Sequence, residues 1–282
     1  MQESASRPLN IVVLVKHVPD AQFDRHLSGP GHTLDRSESI LSELDEYALE
    51  AALQLAEARG GQAAGNSVTA LTMGPDAAVN AVKKALQIGA YRGVHVNDPA
   101  LAGSDAAATS LVLAAALAQV GGPEGGPGIP DLVVTGMAST DGETSLVPAQ
   151  LAERLQLAQV TFASELEVAD DDGAAVVRAR RNGDSYSETL EAPLPALVSV
   201  TDQANDPRYP NFKGIMAAKK KTITVLSLQD LGIEPSQVGL DGAWTTVAAS
   251  APRPARSAGT VITDDGDAGV RLVDFLAAQK LI

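Results

Sequence analysis

The residues best suited to chemistry lie in a polar loop at 136–145, between an apolar run at 131–136 and a helical pattern ending at residue 155. Gly142, Thr144 and Ser145 stand at the start of that predicted helix. The first turn of a helix has backbone N–H groups without intrahelical partners, and its dipole favours negative charge. This loop therefore suits a phosphate group.

Other loops are expected at the same edge of the sheet, at 14–18, 41–46 and 73–75. Open α/β sheets bind ligands outside the carboxyl ends of their strands, so these loops together favour a nucleotide site. Every doubly wound domain has loops at this edge, however, and a purely structural role for them stays open.

No motif in the sequence indicates catalysis. The absence of cysteine excludes thiol catalysis, disulfides and iron–sulfur ligation. The chain has no P-loop, no G-x-G-x-x-G after a strand, no HExxH and no nucleophile elbow. The four histidines lack metal-ligand spacing; they are His17, His26, His32 and His95. The sequence predicts a binding protein that is not an enzyme and holds no metal.

Composition restricts the compartment and the partners. A hydrophobic content of 45% suffices for a full core, and a net charge of −14 argues against nucleic acid and anionic membrane surfaces. The longest apolar run, 111–117, is far below the roughly 18 residues of a membrane span. The first eight residues resemble neither a signal peptide nor a transit peptide. We expect a cytoplasmic protein that neither binds nucleic acid nor inserts into a membrane.

The elements that must position the polar loop alternate between strand and helix. Short apolar runs at 10–15, 68–73, 94–96 and 131–136 predict buried strands, and helical spacing follows each of them. This order predicts an α/β fold with a doubly wound, mainly parallel sheet, Rossmann-like and of the adenine-nucleotide-binding type.

The alternation of predicted strands and helices ends after residue 160. Strand patterns at 160–168, 174–181 and 186–190, with turns at 170–173 and 182–183, predict an added β-hairpin. One more buried strand is expected at 196–200, and residues 269–282 form an amphipathic helix with little core of its own. We divide the chain into a core at 1–204, a segment at 205–221 and an extended C-terminal arm at 222–282.

The 205–221 segment combines two prolines with an apolar tip and a basic end. Tyr209 and Phe212 stand near Ile215 and Met216, and the segment closes with Lys219, Lys220 and Lys221. A few desolvated aromatic side chains carry most of the energy of a protein interface, so the segment suits docking. Apolar residues more often serve packing, and a loop that covers the core is the alternative.

Taken together, these residues resemble the β subunits of electron transfer flavoproteins, from the first strand to residue 233. The landmarks are VLVKHVPD at 13–20, LVVTGMASTDGET at 132–144, ETLEAPLPALVSVT at 188–201 and NDPRYPNFKGIMAAKKK at 205–221. The resemblance implies an electron carrier that pairs with an α subunit holding most of an FAD. It implies electron transfer from acyl-CoA dehydrogenase-type flavoproteins to an electron transfer flavoprotein-quinone oxidoreductase.

The resemblance also implies where these ligands and partners bind. The 205–221 segment would be the recognition loop, with Phe212 in a position that is commonly leucine, and the arm would reach the α subunit. A structural nucleotide, usually AMP, would bind at Leu14, Ser42, Glu43, Leu44, Asp45, Met73, Gly136, Asp141, Gly142, Glu143, Thr144, Ser145, Leu146 and Val147.

Two alternatives to this interpretation stay open, and one departure from the family pattern concerns the nucleotide site. Leu146 and Val147 replace the usual polar Gln and Thr, so fewer side chains would hydrogen-bond the AMP phosphate. Some family members carry a second FAD in place of AMP and bifurcate electrons with NADH. The other alternative is a stand-alone nucleotide-binding sensor of the stress-protein type, which shares this sheet topology.

Overall fold

In the computed structural model, which describes residues 7–28, 32–171, 174–251, 253–256 and 258–282, nine strands form one sheet. The chain divides into two compact units, Met1–Ala248 and Ala249–Ile282. The sheet strands in the first unit are β1 (Asn10–Leu14), β6 (Ser67–Met73), β7 (Arg92–Val96), β8 (Leu132–Gly136), β9 (Ala158–Asp171), β10 (Ala174–Asn182), β11 (Ser187–Pro193), β12 (Ala196–Val200) and β13 (Ile223–Leu226).

Short strands and helices complete the chain. The small strands, which form two separate ribbons, are β2 (His17–Pro19) with β5 (Ser39–Leu41), and β3 (Leu27–Ser28) with β4 (Thr33–Leu34). The α-helices are α1 (Glu43–Ala58), α2 (Val79–Ile88), α3 (Ala106–Val120), α4 (Val147–Leu155), α5 (Phe212–Ala218), α6 (Gly239–Gly242) and α7 (Ala268–Ala278).

The strand order is β11-β10-β9-β12-β8-β1-β6-β7-β13. Along this order, every pair of neighbouring strands between β9 and β13 is parallel. The β9-β10 and β10-β11 pairs, at the opposite edge of the sheet, are antiparallel. The structure therefore confirms the predicted doubly wound, mainly parallel sheet with an added hairpin.

Helices cover the two faces of the sheet because successive strand side chains point in opposite directions. Ile11 and Val13 pack in one buried cluster with Leu49 of α1, whereas Val12 packs in the other with Leu117 of α3. A strand buried on both faces reads as a continuous apolar run, which is why β1 was recognisable in the sequence.

Backbone conformation explains why α4 begins later than predicted. Glu143 and Ser145 both have a φ of 52°, in the left-handed region that an α-helix cannot include. The helix therefore begins at Val147 and not at residue 145. Between α3 and β8 lies a short 3₁₀ turn, Pro123–Gly125.

The hairpin strands are longer than the sequence patterns indicated. β9 continues to Asp171 and β10 begins at Ala174, so part of the predicted turn forms the end of the ladder. Residues 172 and 173 lie outside the described residues. Cross-strand pairing explains the extension, since Ala174 is in register with Asp171.

The 205–221 segment is not a loop throughout, because α5 occupies its centre. The Asn211 side chain caps this helix by accepting a hydrogen bond from the Gly214 N–H at 2.8 Å. Our sequence-based division began the arm at residue 222, whereas β13 pairs in parallel with β7 and the first unit extends to Ala248.

The second unit contains α7, the predicted closing helix. Its apolar side chains include Leu272 and Phe275, which are 50% and 38% exposed. No helix in the described part of the chain combines the length and apolar character needed to cross a membrane.

Candidate functional site

A cavity of about 680 Å³, including its open mouth, lies at the carboxyl ends of β1, β6 and β8. We call it the edge cavity. The loops that follow these strands form its polar part, and α3 and the start of α4 close it from one side.

Half of the residues assigned to the nucleotide by resemblance line this cavity. They are Leu14, Asp45, Met73, Gly136, Thr144, Ser145 and Val147. The other residues lie close in sequence but do not line it; they are Ser42, Glu43, Leu44, Asp141, Gly142, Glu143 and Leu146.

Sequence reasoning missed several lining residues. Lys16 and Ser139 lie within loops that were assigned to this edge, but neither was singled out. Thr109 and Leu113 come from α3, which contributes one wall. The sequence of α3 has apolar residues on every side, so its periodicity did not reveal which face lines a cavity.

The cavity has chemically distinct walls. Leu14, Met73 and Val147 supply apolar surface, while Ser139 and Thr144 supply hydroxyl groups. Ser145 is in the left-handed conformation and Leu146 in the right-handed one, and the Leu146 N–H donates a hydrogen bond to Thr144 Oγ1 at 3.5 Å. The cavity therefore combines apolar surface with polar groups at one edge of the sheet.

Asp45 lies buried beneath this edge, with its carboxylate accepting a hydrogen bond from the Lys16 N–H at 2.8 Å. Burial raises the pKa of Asp45 to about 7; hydrogen bonding to Lys16 opposes the rise and the nearby charge of Asp141 adds to it. Gly136 has no room for a side chain here, because a Cβ would stand 2.8 Å from Asp45 Oδ1.

Asp141 holds the phosphate-suited loop in place. It accepts hydrogen bonds from Lys16 Nζ at 2.9 Å, Arg36 Nη2 at 2.6 Å and the Gly142 N–H at 2.8 Å. Burial acts to raise the pKa of Asp141, but the charges and hydrogen bonds of Lys16 and Arg36 outweigh it and hold that pKa well below its usual range. The ionised Asp141 side chain thus links its own loop to the segments that contain Lys16 and Arg36.

The structure brings the apolar residues of the 205–221 segment to the surface. Tyr209 and Phe212 are 89% and 80% exposed, and Ile215 and Met216 are 37% and 46% exposed. These side chains do not cover the core, so the packing alternative for this segment is wrong.

The three lysines that end this segment have different environments. Lys219 and Lys220 are exposed, whereas Lys221 is partly buried. Lys221 Nζ donates hydrogen bonds to the carbonyl oxygens of Leu86 at 3.1 Å and Ala90 at 2.6 Å. Burial lowers the pKa of Lys221. Its side chain supports the end of α2, and our assignment of Lys221 to partner docking needs this correction.

Among the described residues, no group of three or more His, Asp or Glu side chains could hold a metal ion. Within the edge cavity, the Lys16 N–H donates to Asp45 Oδ2 at 2.8 Å and Lys16 Nζ donates to Ser139 Oγ at 3.4 Å.

Comparison with known proteins identifies the family. A family model described as Electron transfer flavoprotein domain matches residues 32–231. Electron transfer flavoprotein subunit beta of Mycobacterium leprae is 45% identical over 275 residues, which cover 97% of this chain and 99% of that protein. The protein of the same name from Mycobacterium bovis is 44% identical with the same coverage. Caffeyl-CoA reductase-Etf complex subunit CarD of Acetobacterium woodii is 34% identical, covering 90% of this chain and 92% of its own.

The matched range contains the 205–221 segment and the loops of the edge cavity other than the one at 14–18. The relatives' names describe subunits of electron carriers, in agreement with the absence of a catalytic motif from the sequence. The chain belongs to the electron transfer flavoprotein family and is of the β-subunit type.

Proposed function

We propose that this chain pairs with an α subunit, shares an FAD with it, and carries electrons from acyl-CoA dehydrogenase-type flavoproteins to an electron transfer flavoprotein-quinone oxidoreductase. The observation that carries the proposal is the exposure of Tyr209 and Phe212 on a segment that also bears the family landmark. Exposed aromatic side chains on an ordered element suit repeated docking to other proteins.

In this proposal the edge cavity holds AMP. The apolar side chains of Leu14, Met73 and Val147 suit the adenine ring, and the loop at 142–146 suits the phosphate. Apolar Leu146 and Val147 contribute no side-chain hydrogen bond, so backbone N–H groups with Thr144 and Ser145 bear the recognition. This nucleotide has a structural role.

The FAD, when bound between the subunits, takes up and releases the electrons. The residues of this chain act on association and orientation. Phe212 is the docking anchor, with Tyr209, Ile215 and Met216 around it. Lys219 and Lys220 steer acidic partners, since exposed charges act mainly on the association rate. A rate that does not change with ionic strength would exclude such steering.

The test is to co-express the chain with an α subunit, measure bound cofactors, and mix the product with an acyl-CoA dehydrogenase reduced by butyryl-CoA. We expect a heterodimer that contains a single FAD together with AMP and whose flavin is reduced by the dehydrogenase. A nucleotide-loaded homodimer that forms without an α subunit would favour the sensor alternative and contradict the proposal.

The same measurement separates the simple carrier from a bifurcating one. The A. woodii relative is named as a subunit of a reductase complex. That name is the observation that favours testing this chain for electron bifurcation. A second FAD in the edge cavity, together with reduction by NADH, would replace the proposed AMP-containing carrier with a bifurcating protein.

A further inference from the structure

Arg208, the residue before the exposed Tyr209, connects the 205–221 segment to helix α1. Its guanidinium contacts two carboxylates at once. Nε and Nη2 donate to Glu50 at 2.7 and 3.0 Å, and Nη1 and Nη2 donate to Glu57 at 2.6 and 2.9 Å. The Arg208 N–H also lies 3.3 Å from Glu50 Oε2. Both the side chain and the backbone of this residue are thereby held.

The geometry requires an arginine. Glu50 and Glu57 are seven residues apart on α1, so they lie on one face of the helix, two turns from each other. A guanidinium offers five donors in a planar fork and can meet both carboxylates, whereas an ammonium group cannot reproduce this pairing.

The Glu50 side chain is only 5% exposed. Burial acts to raise the pKa of Glu50, but hydrogen bonds from Arg208 and Gln54 outweigh it, and the pKa lies below its usual value. A buried ion pair is weak evidence for a contribution to stability, since apolar replacements are often neutral or stabilising. We therefore consider the effect of this ion pair on the conformation of the 205–221 segment rather than its effect on stability.

Further contacts hold the segment on both sides of its aromatic residues. Asn205 Nδ2 donates to the Tyr47 carbonyl oxygen at 3.0 Å, and Lys221 binds the end of α2. Gly214 approaches α2 so closely that a Cβ would stand 2.5 Å from the Gln87 carbonyl oxygen. The exposed side chains thus project from a backbone fixed before and after them.

We propose that Arg208 is a positioning residue that preorganises the 205–221 segment for docking, by joining it to Glu50 and Glu57. This inference rests on the proposed function, in which the segment contacts partner dehydrogenases. Association is weakened by the entropy lost when loops and side chains become ordered, and preorganisation reduces that loss. Arg208 therefore acts on the affinity for the partner and leaves the electron-transfer step within the complex unchanged.

Two variants separate positioning from folding. Arg208→Lys keeps the charge but loses the fork. Glu50→Gln combined with Arg208→Gln removes the connection without leaving a buried unpaired carboxylate. Arg178→Gln is the matched control, because Arg178 also bridges two carboxylates and is exposed to 37%, against 36% for Arg208.

The experiment uses the heterodimer with butyryl-CoA-reduced acyl-CoA dehydrogenase, and hydrogen exchange of residues 205–218. For both Arg208 variants we expect KM for the electron carrier to rise roughly tenfold with kcat unchanged, because about 1.4 kcal/mol of ordering is added to association. Exchange in the segment should accelerate, while the Arg178 control should match wild type in both measurements.

Unchanged KM and unchanged exchange in folded Arg208 variants would overturn the inference. A fall in kcat with KM unchanged would overturn it as well. Failure of the proposed function has a different signature, because the wild-type heterodimer itself would then not be reduced by the dehydrogenase.

Discussion

At the scale of single residues, Phe212 combines high exposure with an ordered backbone. It is the first residue of α5, and its ring is 80% exposed. A central aromatic anchor usually contributes far more to an interface than its neighbours do. Under the proposed function the identity of this residue also matters, since a ring in the position where the resemblance leads us to expect leucine would fill a wider pocket in the partner dehydrogenase.

We predict that Phe212→Ala weakens the complex with a partner dehydrogenase by roughly 2 kcal/mol or more. Titration of the heterodimer with an acyl-CoA dehydrogenase, followed by calorimetry or by flavin reduction, measures this loss. Tyr186→Ala is the control, because Tyr186 is another exposed aromatic residue, at 59%, outside the segment. An affinity of the Phe212 variant equal to that of wild type would exclude the anchor role.

Asp45 gives a prediction on pH. Its pKa is raised by burial to about 7, so above the pKa of an unfolded aspartate the native state binds more protons than the unfolded state. The free energy of unfolding should therefore fall as pH rises from about 4 to about 7, by about 1.4 kcal/mol for each unit of pKa difference. Above that window the contribution of Asp45 no longer changes.

Denaturant unfolding of wild type and Asp45→Asn across this range tests the prediction. The asparagine amide oxygen can still accept the Lys16 N–H, so the variant should lack this decline and be the more stable protein at pH 8. Asp141 acts in the opposite direction, since its lowered pKa adds stability that is lost only as pH falls below about 4. Parallel pH profiles for the two proteins would contradict the assignment to Asp45.

At the scale of elements, Asp105 connects α3 with the chain that follows α6. Its Oδ1 accepts the Ala108 N–H at 3.0 Å and caps α3. Its Oδ2 accepts the N–H groups of Trp244 and Thr245, both at 2.9 Å. Thr109, one turn along the same helix, lines the edge cavity. The Asp105 carboxylate therefore caps the helix that forms one wall of the edge cavity and also holds the chain at Trp244 and Thr245.

Because the two oxygens have separate partners, Asp105→Asn and Asp105→Ala should differ. The asparagine retains the cap and loses the charged acceptor of Trp244 and Thr245, so we expect near-normal stability and a more mobile Trp244. The alanine loses the cap as well, at a cost of about 1–2 kcal/mol. Fluorescence anisotropy of Trp244, the one tryptophan of the chain, reports mobility, and denaturant unfolding reports stability. Equal stability of the two variants would contradict this division of roles.

At the scale of the whole molecule, α7 belongs to a separate unit whose apolar residues are exposed. A helix of 11 residues is marginal in water without an apolar face packed on something else. Under the proposed function the α subunit supplies that packing surface. The length of the helix and the exposure of its apolar side chains motivate this part of the proposal.

We predict that amides of 268–278 exchange rapidly in the isolated chain and become protected in the heterodimer. Leu272→Ser and Phe275→Ser should each weaken heterodimer formation, by about 1–3 kcal/mol for the loss of a buried apolar side chain. Asp274→Ser is the control on the same helix. Equal exchange in the free and paired states would rule out packing of α7 on the α subunit.

The fold was largely predictable from the sequence, and the site only in part. Apolar runs identified the strands, since a strand covered on both faces has no polar alternation. The start of α4 was misplaced because left-handed conformations at Glu143 and Ser145 have no sequence signal when the residues are not glycine. The face of α3 that lines the cavity was equally hidden, because its alanines and leucines occur on all sides.

The sequence by itself determined the layered α/β core, because strand and helix periods, glycine stops and turn residues are local properties of the chain. Only the tertiary structure decided which charged side chains form ion pairs with distant residues. Lys16 meets Asp141 across 125 residues, and Arg208 meets Glu50 across 158. The local sequence around each residue does not indicate such pairs. Whether a lysine such as Lys221 faces solvent or a helix end is likewise set by the surface against which it packs.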